Sequence, residues 1–185
     1  MIDTSEFRNG LVIEVDNEIY KVLWFQHHKP GKGGAIMRTK LQNIRSGAII
    51  ERTFKSGEKF REIEVERRKK QYIYNDTENY YFMDMVTFDQ IHLKKEQLGD
   101  AVKYLKENME IEAQYINNEF FGIELPVSVE LKVVHTEPGI KGDTVTNVMK
   151  PAILETGAEV NVPLFIEVGD TVKIDTRTGE YIERV

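Results

Sequence analysis

Trp24-Phe25-Gln26-His27-His28-Lys29-Pro30-Gly31-Lys32-Gly33-Gly34-Ala35 joins two apolar, β-prone runs: Ile19, Tyr20, Val22, Leu23, Trp24 and Phe25 lead in, and Ala35, Ile36 and Met37 lead out. Proline fixes φ on the way into a turn, and glycine permits backbone geometries closed to other residues. The segment therefore reads as the tip of a long β-hairpin with Lys32 at its apex. The nearest carboxylates in sequence are Glu18 before the loop and Glu51 after it. A cation without a nearby acid, on a glycine-rich tip, suits contact with a polyanion or covalent modification by another enzyme. On these residues alone, a solvated turn without a role is the plainer reading. The loop is not a phosphate-binding P-loop, because Lys32 is followed by Gly33 and strand residues rather than by Ser/Thr and a helix.

Working outward, residues 1–63 read as all-β. Asn9-Gly10 precedes Leu11–Val15, Asp16-Asn17 turns into Glu18–Val22, and Ile36–Leu41 is a strand with Arg38 and Lys40 on one face. Arg45-Ser46-Gly47 turns into Ile49–Phe54, and Lys55–Glu58 turns again. Short strands at this spacing predict a small SH3-like barrel. Residues 64–126 read as an OB-type barrel. Val65–Tyr74, the aromatic strand Tyr80–Asp84 and the hairpin Glu112–Ile116/Phe120–Leu125 form its sheet, and a helix is expected over Lys94–Asn108, with Leu98, Ala101, Val102 and Leu105 at helical spacing. Arg67–Lys70 reads as a solvated strand face, and Tyr72, Tyr74, Tyr80, Tyr81 and Phe82 as core or cross-strand pairs rather than base-stacking platforms. Residues 127–185 repeat the scheme as a second OB-like barrel, with a polar loop at Pro138–Thr144. Three compact modules in series make an elongated body.

Charge separates the modules. Residues 1–63 carry eleven Lys/Arg against eight Asp/Glu, residues 64–126 eight against thirteen, and residues 127–185 six against ten, within a chain of net charge −6. The basic excess falls on the module with the Lys32 loop, which points that end at a polyanion. With no cysteine there is neither a disulfide framework nor a thiol nucleophile. No apolar run is long enough to span a membrane, and the acidic start is unlike a secretory signal. A cytoplasmic monomer is the expectation. His27, His28, His92 and His135 show no metal-ligand spacing, and no nucleophile motif appears. The chain reads as a non-enzyme without cofactor or metal.

Taken together, these segments resemble the bacterial elongation factor P family, relatives of the hypusine-bearing translation factor of eukaryotes and archaea. The resemblance rests on Lys29–Ala35, Arg38–Leu41, Thr53–Ser56, Tyr74–Asp76, Glu137–Thr144, the run Lys150-Pro151-Ala152 through Val160-x-Val162-Pro163-Leu164-Phe165, and Asp175–Tyr181. It implies an L-shaped, tRNA-like protein that binds the 70S ribosome between the P and E sites and relieves stalling at consecutive prolines. Lys32 would be the lysine lengthened by a modifying enzyme, reaching toward the CCA end of P-site tRNA. Lys29, Pro30, Gly31, Gly33 and Gly34 would form the tip around it. Arg38 and Lys40 would face tRNA, and Gly142, Asp143 and Thr144 would face mRNA in the E site. The tip departs from some members in having lysine rather than arginine at its apex, and Gly34 where others differ. The rival reading is a tandem-OB nucleic-acid-binding module with no translational role.

Overall fold

The computed structural model describes residues 1–139 and 148–185. Its first module runs β1 (Ile2–Asp3), β2 (Val12–Val15), β3 (Glu18–His28), β4 (Ile36–Asn43), β5 (Ile49–Lys55) and β6 (Lys59–Glu62). These pair in the order β1-β6-β2-β3-β4-β5. The β2–β3 turn follows from Asp16-Asn17: both residues take positive φ (51° and 63°), as a two-residue hairpin turn demands. A register shift between Val22 and Trp24 opposite β4 bends the long strand and lets the sheet curl. The curl closes over Ile2, Phe7, Leu11, Ile13, Val15, Val22, Met37, Leu41, Phe54 and Phe60. β1 and β6 escape sequence reading because each has a single apolar residue facing in, Ile2 and Phe60.

The second module comprises β7 (Glu66–Asn75), β8 (Asn79–Met83), β9 (Gln90–Lys94), β10 (Glu110–Ile116) and β11 (Glu119–Glu124), in the order β11-β10-β7-β8-β9. The third comprises β12 (Ser128–Thr136), β13 (Met149–Leu154), β14 (Glu159–Pro163), β15 (Thr171–Asp175) and β16 (Tyr181–Arg184), in the order β14-β13-β12-β15-β16. Numbered within each module, the two sheets have the same strand order. β9 was legible in the alternation of Ile91 and Leu93 but was absent from the expected elements.

Two expectations need correction. The long helix over Lys94–Asn108 is a single α-helical turn, α1 (Lys95–Leu98), followed by a 3-10 segment over Gly99–Tyr104. Gly99 takes φ +56°, outside helical space, and breaks the path after one turn. The apolar spacing still served its purpose, because Leu98 and Leu105 are buried in the barrel core with Ala101 and Val102 against it. The run Arg67–Lys70 is not wholly a solvated face either. Lys70 is buried, 7% exposed, and its ammonium donates to Asp84 Oδ2 at 2.8 Å.

The modules are joined by packing, not by the chain alone. Val12 from the first and Ile116 and Phe121 from the second share a buried cluster flanked by Ile19, Ile44, Ile63 and Val65. Tyr104 of the second module lies in the core of the third, and Met109 and Leu125 touch both cores. Lys106 pairs with Glu155 at 3.1 Å, and the Thr176 hydroxyl donates to the Pro126 carbonyl at 2.5 Å. The accessible surface, 11764 Å² for 21.5 kDa, exceeds the roughly 9,200 Å² of a compact monomer of that mass, as modules strung in series require.

Candidate functional site

β2 ends its pairing with β3 at Lys21, whereas β4 follows β3 to His28. At about 3.3 Å per residue, the stretch from Val22 to His28 carries the hairpin roughly 20 Å beyond that point. The tip follows, with Lys29, Gly31, Lys32, Gly33 and Gly34 all exposed and Pro30 half-buried. The Ser56 N–H donates to the Ala35 carbonyl at 3.0 Å and holds the base of the loop. Above it, Gly33 takes φ +101°, and a side-chain carbon added at Gly31, Gly33 or Gly34 would meet nothing within 4 Å. The first module's ion pairs among the described residues are Arg8–Glu62, Arg52–Asp16 and Arg61–Glu14, none of which engages Lys29 or Lys32. Lys32 is thus exposed to water at the end of a two-stranded arm. His27 and His28, expected in the loop, are the exposed last residues of β3.

Below the tip the exposed face of the hairpin is ordered in rows by the strand register. Trp24, Lys40 and Glu51 form one row, Gln26, Arg38 and Thr53 the next, and His28, Ile36 and Lys55 the last. Arg38 and Lys40 point out while Met37, Thr39 and Leu41 point in, with the Thr39 hydroxyl donating to the Arg52 carbonyl at 2.7 Å. Trp24, Arg38, Lys40 and Arg52 line a shallow groove of ≈ 460 Å³. Trp24 is 41% exposed, so an indole shares this groove with the cations Arg38, Lys40 and Arg52 and with one carboxylate, Glu51. Sequence reading had Trp24 only as part of an apolar run. Its alternation with Val22, across the register shift, could be settled only by the pairing.

In the second module Tyr72 and Phe82 are buried, and Tyr74 stacks on Tyr81 across the strands with centroids 4.5 Å apart. The aromatics are core and cross-strand pairs, as expected. Burial pushes the Tyr72 phenol up to about 12, with a smaller push from Tyr80, and its hydroxyl donates to Asn75 Oδ1 at 2.8 Å. In the third module Gly142, Asp143 and Thr144 lie outside the described residues. The ends of that segment are fixed: buried Lys150 donates to the Glu137 carbonyl at 2.6 Å, and the Thr136 hydroxyl to the Pro151 carbonyl at 2.9 Å. No group of His, Asp and Glu among the described residues could hold a metal ion. No helix among them is long and apolar enough to cross a membrane.

Comparison with known proteins matches all three modules. Residues 3–60 match the elongation factor P KOW-like domain, residues 65–123 its OB domain, and residues 129–184 its C-terminal domain. The chain is 65% identical over 184 residues to elongation factor P of Moorella thermoacetica, covering 100% of both chains. The chain belongs to the elongation factor P family. The corresponding factor of Endomicrobium trichonymphae is 56% identical over 184 residues, again with 100% of both chains covered. A looser likeness, TM-score 0.42 at 19% identity over 67% of this chain and 93% of the other, is to eukaryotic translation initiation factor 5A from Methanococcus jannaschii. Family membership makes the chain a translation factor and not an enzyme.

Proposed function

We propose that this chain binds the ribosome between the P and E sites and speeds peptide-bond formation where consecutive prolines slow it. Proline is a rigid, poor nucleophile, so the reaction is limited by how well the peptidyl-tRNA is aligned with it. Holding the reactants in productive geometry lowers such a barrier without any bond being made by the holder. The observation that carries this reading is the Lys32 tip, a cation without an ion pair, displayed on an extended two-stranded arm above a face carrying Trp24, Arg38 and Lys40. Along that arm the chain would lie against the P-site tRNA, with Lys32 nearest the CCA end. Lys29, Pro30, Gly31, Gly33 and Gly34 allow close approach there. A lysine-modifying enzyme in the cytoplasm would lengthen Lys32, extending its donors along the RNA backbone. Gly142, Asp143 and Thr144 would meet the E-site mRNA, on the strength of the sequence resemblance alone.

The test has two parts. Protein isolated from its native host is expected to show added mass on the peptide carrying Lys32. In reconstituted translation of a diprolyl message, Lys32→Ala is expected to lose the stimulation, and Lys32→Arg to lose it in the native host despite keeping its charge. A guanidinium is not a substrate for a lysine-specific enzyme. Full activity of Lys32→Ala would reject the reading and favour a nucleic-acid-binding module that works through its barrel faces.

A further inference from the structure

Where the first two modules meet, a cleft of ≈ 560 Å³ opens beside the junction, and the third module contributes Arg177 to its lining. Four cations converge there: Arg8 and Lys21 from the first module, Arg67 from the second and Arg177 from the third. Three of them hold a carboxylate. Arg8 pairs with Glu62 at 2.9 Å, Arg67 with Glu124 at 2.9 Å and Arg177 with Asp175 at 3.1 Å. These pairs face solvent and are weak, and each guanidinium keeps donors to share. Lys21 is different. It is half-buried on β3 and has no ion pair among the described residues. Loss of water pushes its pKa down, and the charge of Glu124 opposes this only in part. With Glu62, Glu64 and Glu124 as its carboxylates, the lining keeps one positive charge in excess. Gln114 on β10 also lines the cleft. It is 4% exposed, and its Oε1 has no hydrogen-bond partner among the described residues. Buried acceptors left in that state are rare in folded proteins.

We propose that this cleft binds a small phosphate ester carrying hydroxyl groups, a sugar phosphate or a mononucleotide. The step is independent of the ribosomal reading. The volume is that of a small-molecule site. A tetrahedral anion accepts hydrogen bonds from several sides at once, as donors arriving from three modules require, whereas a planar carboxylate is satisfied by one fork. Lys21 supplies the unpaired charge and the arginines the surrounding donors. A hydroxyl beside the phosphate donates to Gln114 Oε1. Bound there, the ester ties the first module to the other two.

The experiment titrates the full chain with ribose 5-phosphate, AMP, inorganic phosphate and ribose, by calorimetry at low salt and by thermal melts. One or both esters are expected to bind and to raise the melting temperature, the tighter of the two naming the source, while ribose does not bind. Lys21→Met is expected to weaken binding about tenfold. Without ligand it should melt no lower than wild type, because an apolar chain replaces a half-buried amine. Arg177→Gln, at an exposed position of another module, is expected to weaken binding about threefold. Binding of inorganic phosphate alone would mean an adventitious ion only and overturn the proposal. So would ribose binding as tightly as its phosphate, wild-type affinity in both variants, or no binding of either ester. None of these outcomes bears on the ribosomal reading.

Discussion

Both ends of strand β4 finish in glycine-bearing turns, and the two could hardly differ more. At one end lies the Lys29–Gly34 tip, where a side-chain carbon added at any of the three glycines would meet nothing within 4 Å. At the other, Gly47 takes φ +75°, and an added side-chain carbon would come within 2.8 Å of the Glu96 carbonyl oxygen of the second module. The Asn43 side chain accepts from the N–H groups of Arg45 and Ser46 (2.9 and 3.1 Å), and Gln42 reaches the Gly47 carbonyl at 3.3 Å. One turn is a joint between modules, fixed by its own hydrogen bonds and by its neighbour. The other has a hydrogen bond at its base and nothing at its apex. The same residue type thus serves close packing at one end of a strand and access at the other.

The largest effect should fall on the joint. Gly47→Ala forces a Cβ both into left-handed backbone and against Glu96, and is expected to cost about 2–4 kcal/mol. A thermal melt would read this. A melt unchanged from wild type would mean that the first module does not seat on α1 as described. Next comes the β8–β9 loop, which is held by charge rather than by steric fit. Lys70, with the N–H groups of Thr87 and Val86, keeps the Asp84 carboxyl well below the usual carboxylate range. A depressed folded pKa means stability that is complete above the unfolded value, about 3.9, and is lost as pH falls through the folded one. Asp84→Asn should therefore be less stable at neutral pH and show a flatter loss on acidification, in melts taken from pH 6 downward.

Smaller changes are expected at the tip. Gly33→Ala places a Cβ at positive φ with no clash, for a cost of about 1 kcal/mol. Its larger consequence should be on diprolyl synthesis, so stability and activity would separate. Gly34→Ala, without a positive φ and with open space, should stay within about 0.5 kcal/mol of wild type. A large destabilisation by that change would show that the tip is packed and erase the contrast with Gly47.

Much of this molecule was legible in its sequence. Turn chemistry at Asp16-Asn17 and Asn117-Asn118 gave hairpins, because few residues tolerate the positive φ that a two-residue turn needs. Alternation gave the long strands, and short strands set off by regularly spaced turns gave small barrels. The inward set Leu98, Ala101, Val102 and Leu105 was also legible, but the helix inferred from it was not formed: a one-turn helix and a 3-10 segment bury the same side chains once Gly99 redirects the backbone. Periodicity reports which residues go inside, and more than one backbone path can put them there. The Lys32 tip was readable for a related reason, since glycine, proline and an acid-free lysine are local signals.

What only the tertiary structure decided is pairing across distance. Lys70 reads as one more charge in a basic run until β8 brings Asp84 to it, fourteen residues on. Trp24 reads as one more member of an apolar run until the register shift between Val22 and Trp24 turns it to the face of Arg38 and Lys40. Gly47 reads as an ordinary turn glycine until Glu96 arrives from another module. In each case the deciding contact is absent from the local chain, and burial, charge partner and free space are properties of the neighbours that folding supplies.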